Sequence, residues 1–211
     1  VLEQVRVKSR FERFQLKVID LFLSNNRLFQ LLKKHGKGKY IWGQDERKTG
    51  DGVAHSKGDV YNGAWVEGSM RGHGTLCFAN GDVYEGNFVD NNRNGRGTMR
   101  YISGDVYEGD WVDDRRQGLG KLVSKSGDEY VGDFANDDKH GKGRLRTAAG
   151  SEYEGDWARG KMHGVGRFVW ANGDKYEGDF VEGKKSGKGV LRQANGNVYE
   201  GDYLNDKKHG K

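Results

Sequence analysis

A 23-residue repeat dominates this sequence and sets narrow limits on its fold. Seven tyrosines recur at that interval without a slip, and a second aromatic residue stands four positions after each of them. A glycine lies midway between the two aromatic residues, and a Gly-x-Gly pair follows in each of the first six repeats. Self-similarity of this kind is typical of repeat architectures, in which each unit packs mainly on its neighbours. The tyrosines are Tyr61, Tyr84, Tyr107, Tyr130, Tyr153, Tyr176 and Tyr199.

Inside each repeat the pattern has a period of two, which is typical of β-strands. Tyr107, Gly109 and Trp111 alternate with Glu108 and Asp110, so on a strand the aromatic residues share one face. A second alternating run follows each Gly-x-Gly pair, and Asn-Gly or Ser-Gly signals for hairpin turns separate successive runs. Each repeat is therefore predicted to form a two-stranded β-hairpin.

The hairpins are predicted to stack because a lone hairpin is only marginally stable in water. With strands about 4.8 Å apart, seven repeats give a rod of roughly 65–70 Å. The chain has 35 glycines and no proline, which suits continuous hydrogen-bonded ladders because proline removes a backbone donor. The predicted fold class is mainly β: an elongated, solenoid-like single antiparallel sheet of stacked hairpins, preceded by an N-terminal α-helical segment.

The pattern Tyr-x-Gly-x-Trp/Phe followed by Gly-x-Gly resembles the MORN repeat (membrane occupation and recognition nexus). The resemblance covers residues 58–211 as about seven units, the last one truncated, while residues 35–57 resemble a degenerate unit. It implies an elongated, twisted sheet with a groove along one face. It also implies scaffolding, peptide binding, self-association, and attachment to membranes or the cytoskeleton. MORN arrays accompany catalytic domains such as lipid kinases, so a regulatory array of a larger enzyme is one alternative.

The aromatic residues on the shared face are the predicted partner-binding groove. The groove is expected to hold a protein partner or a helical peptide, and a homodimer is a second expectation. The predicted groove residues are Tyr84, Phe88, Tyr107, Trp111, Tyr130, Phe134, Tyr153, Trp157, Tyr176 and Phe180.

Basic residues after the aromatic strands form the alternative binding surface. Stacking would align them into an edge that is either solvated, with weak ion pairs, or meets anionic lipid head groups such as phosphoinositides. Protein binding is favoured because residues 41–211 carry a net charge of −2, whereas residues 1–40 carry +7. The possible lipid-binding residues are Arg115, Arg116, Lys184, Lys185, Lys188, Lys207 and Lys208.

Residues 1–34 have a different period and are predicted to form a basic amphipathic helical segment. Apolar residues from Val7 to Leu32 follow the spacing of a helix, and basic residues accompany them. The segment is expected to cap the first hairpins as two short helices that break near Ser24. The alternatives are a helix that pairs with a partner or a second copy, and a helix on a membrane surface.

No catalytic constellation stands out from the repeat background, so the chain is predicted not to be an enzyme and to need no cofactor or metal ion. The nearly neutral repeat region argues against nucleic-acid binding. A single cysteine, Cys77, and the lack of a long apolar run predict a cytoplasmic setting. The resemblance to MORN repeats further implies association with the cytoskeleton or the cytoplasmic face of a membrane. The chain starts without methionine and stops within a repeat, so it is expected to be a fragment.

Overall fold

The computed structural model of the protein describes residues 34–43 and 55–209, and the regular structure there consists entirely of β-strands. Each strand is short, and most alternate between lengths of seven and nine residues. The strands are β1 (Gly36–Ile41), β2 (Val60–Val66), β3 (Ser69–Cys77), β4 (Val83–Val89), β5 (Asn92–Arg100), β6 (Val106–Val112), β7 (Arg115–Val123), β8 (Glu129–Ala135), β9 (Asp138–Arg146), β10 (Glu152–Ala158), β11 (Lys161–Val169), β12 (Lys175–Val181), β13 (Lys184–Arg192), β14 (Val198–Leu204) and β15 (Lys207–His209).

All fifteen strands belong to one open antiparallel sheet whose spatial order is the order in the chain. Each pair of neighbours is therefore a hairpin, and the predicted stack of hairpins is confirmed. Glycines mark the register across the whole sheet: Gly109 on β6 lies opposite Gly97 on β5 and Gly120 on β7. This arrangement puts the tyrosine of one strand beside an aliphatic residue of the next, as in Tyr107 opposite Leu122.

Two-residue turns join the two strands of each repeat. Between β6 and β7 the turn residues Asp113 and Asp114 have φ of 45° and 68°. Positive φ at both positions is the signature of a type I′ turn, whose twist matches that of the flanking strands. Aspartate and asparagine tolerate this conformation better than most side chains. Arg115 and Arg116, which follow this turn, begin β7.

Longer loops connect one repeat to the next, and they contain the Asn-Gly and Ser-Gly signals. In the loop after β3, Phe78 N–H donates to the Asp82 carbonyl, and Gly81 N–H donates back to the Phe78 carbonyl, each at 2.9 Å. The Asp82 carboxylate then accepts a hydrogen bond of 2.7 Å from the backbone N–H of Ile102 in the following loop. The loops are therefore tied to one another along the edge of the sheet, one repeat to the next.

A bulge interrupts the pairing between the two strands of each of the first six repeats. Gly109 pairs with Gly120, yet Trp111 pairs with Arg116, so β7 carries extra residues at this point. Gly118 lies in the bulge with φ of 66°. The Asp110 carboxylate accepts the N–H of Leu119 at 3.3 Å and so satisfies a donor that the ladder leaves free.

The first described strand, β1, occupies the place of a second strand of a preceding repeat. Tyr40 pairs with Tyr61 as Leu76 pairs with Tyr84, and Trp42 N–H donates to the Asp59 carbonyl as Phe78 donates to Asp82. Fifteen residues separate Trp42 from Gly58, whereas two separate Phe78 from Gly81. The predicted degenerate unit at residues 35–57 thus contains a regular strand followed by an insertion, of which residues 44–54 lie outside the described residues.

The predicted helical segment at residues 1–34 lies outside the described residues, except for Lys34. The Lys34 ammonium is placed 3.1 Å from the ring centre of Tyr40 and 4.4 Å from that of Trp65. The cap and the two short helices therefore stay predictions.

Candidate functional site

The two faces of the sheet differ in chemistry because side chains alternate along every strand. We call the face that carries the repeated tyrosines the inner face and the opposite one the outer face. Tyr107 and Trp111 point to the inner face, together with Leu122 and Arg116 from the neighbouring strand. Glu108 and Lys121, which pair with each other, point to the outer face.

Each repeated tyrosine lies flat over glycines of its own hairpin. The Tyr107 ring covers Gly109 and Gly120, and its hydroxyl donates a 3.0 Å hydrogen bond to the Asp110 carbonyl. Equivalent bonds run from Tyr84 to Asn87 and from Tyr130 to Asp133. The phenol therefore fills the space that the glycines leave, and its polar end is satisfied at the bulge.

The aromatic rings form one continuous edge-to-face stack along the inner face. Tyr107 meets Trp111 of its own repeat at 5.2 Å and 88° between ring planes, and meets Phe134 of the next repeat at 5.0 Å and 81°. The same alternation continues from Tyr61 to Tyr203. Edge-to-face pairs of this geometry are favourable beyond the area that they bury. In the described residues the core is therefore built around a line of rings rather than a globular centre.

The structure corrects one part of the predicted groove. All ten predicted groove residues are the core of the stack and are only 0–5% exposed, so a partner cannot touch most of their ring surface. They do share one face, as the alternation in the sequence predicts. Their role in this structure is to build the inner face, and the residues available to a partner lie above them.

A row of long side chains covers the stack, and sequence reasoning missed it as a unit. Each member follows the two-residue turn and pairs with the second aromatic residue of its repeat, as Arg116 pairs with Trp111. The turn separates this covering residue from the aromatic residue in the sequence, so the two do not form a visible short motif. The 23-residue interval is the only sequence signal that identifies the covering residue. We call this set the roof row: Met70, Arg93, Arg116, Lys139, Met162, Lys185 and Lys208.

The basic members of the roof row lie over the faces of the aromatic rings. Arg93 is 4.4 Å from the centre of the Trp111 ring, and Lys139 is about equally distant from Tyr130 and Trp157, at 5.0 and 5.1 Å. Lys185 reaches Trp170, at 5.2 Å, as well as Tyr203. These are cation–π contacts in which the aliphatic stem covers the core while the charge stays near solvent.

The two arginines of the roof row are also held by aspartates of the next turn. Arg93 Nε lies 3.1 Å from Asp114, and Arg116 Nε lies 3.3 Å from Asp137. At Lys139 the corresponding turn position is Gly160, which offers only a backbone N–H to the Lys139 carbonyl. Among the described residues, neither Lys139 nor Lys185 has a carboxylate within ion-pair distance of its ammonium group.

Half-buried apolar side chains line the inner face between the roof row and the loops. Leu122, Leu145, Phe168 and Leu191 pack against the buried rings while keeping part of their surface accessible. Trp170 stands beside Phe168, with the ring centres 4.6 Å apart. The accessible inner face is thus a mixture of apolar surface and cations.

The seven predicted lipid-binding residues do not form one surface. Arg116, Lys185 and Lys208 belong to the roof row on the inner face. Arg115, Lys184, Lys188 and Lys207 pair with outer-face residues and so point the other way; Lys184, for example, pairs with Val181, and Lys188 with Asp202. A flat membrane could contact only one face of the sheet at a time. It would therefore meet either the three inner-face or the four outer-face basic residues, and not all seven.

The outer face is dominated by cross-strand ion pairs. Arg144 lies 2.7 Å from Glu152, Arg167 lies 3.1 Å from Glu177, and Lys142 lies 2.6 Å from Asp156. Apolar side chains such as Leu119 and Val131 are exposed among these charges. Positive and negative groups already neutralise each other here, and each exposed pair contributes little to stability.

Burial also controls the acidity of the stacked tyrosines. Loss of hydration raises the pKa of Tyr61 and Tyr176 to about 12, from an ordinary value of 10.0. Burial likewise raises the pKa of Tyr84, Tyr107 and Tyr130, although the Arg93 and Arg116 charges oppose the rise at the first two. The phenols therefore remain protonated donors to the backbone at neutral pH.

Neither a metal centre nor a membrane-spanning helix is found in the described part of the chain. Residues 34–43 and 55–209 contain no group of three or more His, Cys, Asp or Glu side chains placed to hold a metal ion. The same residues include no helix that is long and apolar enough to cross a membrane.

The chain belongs to the MORN repeat family. The family model matches eight segments that together cover most of the chain, and the predicted resemblance is confirmed. Seven of the segments share the 23-residue register of the sheet. The matched segments are residues 33–46, 61–83, 84–106, 107–129, 130–152, 153–175, 176–198 and 199–211.

Comparison with solved structures gives neighbours of low overall similarity. The TCP domain of SAS-4 (dCPAP) from Drosophila melanogaster, in complex with a proline-rich motif of Ana2, has 13% identity and a TM-score of 0.41; the match covers 87% of this chain and 97% of that one. The TCP10 domain of Danio rerio CPAP, in complex with a STIL peptide, has 13% identity and a TM-score of 0.30, covering 78% of this chain and 84% of that one.

A third neighbour and the curated proteins add no functional assignment. Virginiamycin B lyase from Staphylococcus aureus has 11% identity and a TM-score of 0.19, with 80% of this chain and 74% of that one covered. Similarity at these TM-scores does not carry a function from one protein to another. A comparison with curated proteins gave no significant match.

Proposed function

We propose that this protein is a non-enzymatic interaction scaffold that binds a protein partner along its inner face. Membership of the MORN repeat family supports a scaffold for protein interactions. The inner face supports the location, because each repeat from Tyr107 to Tyr176 contributes to it one roof residue and one half-buried aliphatic or aromatic residue at the same interval. A partner could thus make the same kind of contact several times along one rod.

The observation that carries the proposal is the half-buried apolar surface around Phe168 and Trp170, next to the cation of Lys185. Interfaces are rich in aromatic side chains that keep an apolar surface beside a polar group. The outer face offers a weaker case, since its charges are paired and its apolar side chains are dispersed among them.

Anionic lipid binding is the second candidate, supported by the basic members of the roof row. Its weakness is geometric, because the predicted lipid-binding residues divide between the two faces. Lipid binding would therefore depend on a few cations that already lie over aromatic rings.

Site-specific photo-crosslinking tests the proposal. A benzophenone side chain placed at Trp170 would report on the inner face, and the same group at Val165 would report on the outer face of the same hairpin, where Val165 is 62% exposed. We expect discrete protein adducts from cell extract at Trp170 and none at Val165. Adducts at Val165 alone, or adducts with lipid alone at Trp170, would overturn the proposal.

A further inference from the structure

The charge of the inner face points to the chemistry of the partner, and this inference rests on the proposed function. The roof row places five cations along this face. Asp114 and Asp137 are already paired with Arg93 and Arg116, and the equivalent Asp206 carboxylate accepts the backbone N–H of Lys185 at 2.9 Å rather than pairing with its ammonium. The remaining inner-face cations of the central repeats, Lys139 and Lys185, have no paired carboxylate among the described residues. The inner face therefore has unpaired positive charge where the outer face has neutral ion pairs.

Lys139 is the clearest case of a half-buried cation on this face. Its ammonium lies between the rings of Tyr130 and Trp157. Burial lowers the pKa of this group, the neighbouring Arg116 charge lowers it further, and Asp128 opposes the change. The rings compensate part of the lost hydration, but a carboxylate would compensate more, because opposite charge favours the ionised form of a half-buried group.

Met162 interrupts the cationic row between Lys139 and Lys185. It packs against the core beside Trp157, with which it pairs. Phe168 and Trp170, from the same repeat, extend this apolar area. The repeats between Lys139 and Lys185 thus present the order cation, apolar patch, cation.

The distance between successive roof-row residues limits which kinds of ligand can contact all three. Two strands per repeat advance the sheet by roughly 10 Å. Two turns of an α-helix advance by about 11 Å, and three residues of an extended chain by about 10 Å. A single continuous segment of protein can therefore address Lys139, Met162 and Lys185 in sequence.

We propose that the inner face binds an acidic segment of the partner protein that places one carboxylate at Lys139, an apolar side chain at Met162 and a second carboxylate at Lys185. Charge complementarity selects this occupant, and the interruption at Met162 sets the apolar residue between the two acidic ones. A basic or uncharged segment lacks groups to pair with these ammoniums.

Peptide display on the intact chain tests the proposal with a random-peptide library as the probe. The library is selected against the wild-type protein, and the affinities of the recovered peptides are measured by fluorescence anisotropy. We expect enrichment of Asp and Glu on both sides of an apolar residue. We also expect binding to weaken at least about tenfold in the double variant Lys139→Met/Lys185→Met, because close charge pairs across an interface contribute strongly to affinity.

The chain provides a matched control and a safeguard against misfolding. Methionine occupies the same position in two repeats, at Met70 and Met162, so the double variant is expected to fold. The control Lys142→Met/Lys188→Met makes the same change in charge three residues further along the same strands, on the outer face. Peptide affinity should stay within about twofold in the control.

Three outcomes would overturn the inference. The first is that the selected peptides lose binding in Phe168→Arg but are not enriched in Asp or Glu. That result would contradict an acidic partner segment and leave the proposed function intact. Equal losses in the two double variants would make the effect one of net charge only. Tight binding to phosphatidylserine vesicles that is lost in Lys139→Met/Lys185→Met, with no peptide selected, would assign the face to a membrane and contradict both proposals.

Discussion

The phenol of Tyr107 lies directly over Gly120 on the neighbouring strand, and no side chain fits between them. A Cβ atom at Gly120 would lie 2.5 Å from both the hydroxyl and the Cε2 atom of the ring. At Gly118, two residues earlier, the nearest atom to a Cβ would be an oxygen of the Asp110 side chain at 3.1 Å, and the backbone has a φ of 66°. The two glycines of the repeated Gly-x-Gly pair are thus required for different reasons, one by the bulge and the other by the ring.

We predict that Gly120→Ala destabilises the protein by about 1–3 kcal/mol, because the ring of Tyr107 must shift inside a closely packed stack. Chemical denaturation monitored by tryptophan fluorescence measures the change. Gly43→Ala is the matched control, since Gly43 has open space at its Cβ position and an ordinary φ. Equal stability of the two variants would contradict the packing role of the tyrosine.

Removal of a shared ring should divide the array into two parts. Trp111 contacts Tyr84 of the preceding repeat at 5.4 Å and Tyr107 of its own repeat at 5.2 Å. Trp111→Ala is expected to cost about 3–5 kcal/mol. In a linear stack, where each repeat is stabilised by its neighbours, such a loss also weakens the coupling between the two sides.

Hydrogen exchange by mass spectrometry measures this effect. Protection of the strands before β5 and after β7 should become unequal in Trp111→Ala, while both sides exchange together in the wild-type protein. Trp170→Ala is a suitable comparison, because Trp170 is only partly buried at the margin of the stack. A uniform loss of protection in Trp111→Ala would contradict the linear coupling.

The hydrogen bonds between successive loops predict that substitutions of Asp105 lower the stability of the protein by different amounts. Its carboxylate accepts the backbone N–H of Lys125 in the next loop at 2.8 Å. Asp105→Ala should cost about 1 kcal/mol because it removes the acceptor, whereas Asp105→Asn should be nearly neutral. Asp105→Ser should fall between them, since Ser151 holds the N–H of Ala171 in the equivalent position at 3.1 Å. Thermal denaturation orders the three variants, and a neutral Asp105→Ala would refute the role of the bond.

The repeat interval and the alternation of residues were sufficient to predict the sheet, its antiparallel order and the common face of the aromatic residues. They were not sufficient to locate the turns. Asn-Gly and Ser-Gly sequences such as Asn80-Gly81 lie in the loops between repeats, whereas Asp113-Asp114 forms the tighter turn without a glycine. Asparagine and aspartate adopt positive φ in many contexts, so composition alone does not separate the two kinds of turn.

The accessible part of the inner face was harder to predict than its core. Tyr107 and Trp111 repeat as a visible motif, but Arg116 reaches their face only because a turn and a bulge set the register of β7. The roof position holds Arg, Lys or Met, and these residues share length rather than charge. A sequence search by chemical class places Met162 and Lys139 in different groups, although both side chains cover the aromatic stack.

The last prediction concerns alkaline pH. Tyr61 and Tyr176 have a pKa of about 12 in the folded protein, against an ordinary value of 10.0. Stabilisation by these neutral phenols is complete below pH 10.0 and is lost as the pH rises towards about 12, because the unfolded chain releases its protons first. We therefore expect the urea midpoint to fall with rising pH within this window. Tyr176→Phe should be less stable at neutral pH but show a shallower fall, since it lacks one of the titrating groups. Identical slopes for the wild type and Tyr176→Phe would show that this burial does not govern the alkaline transition.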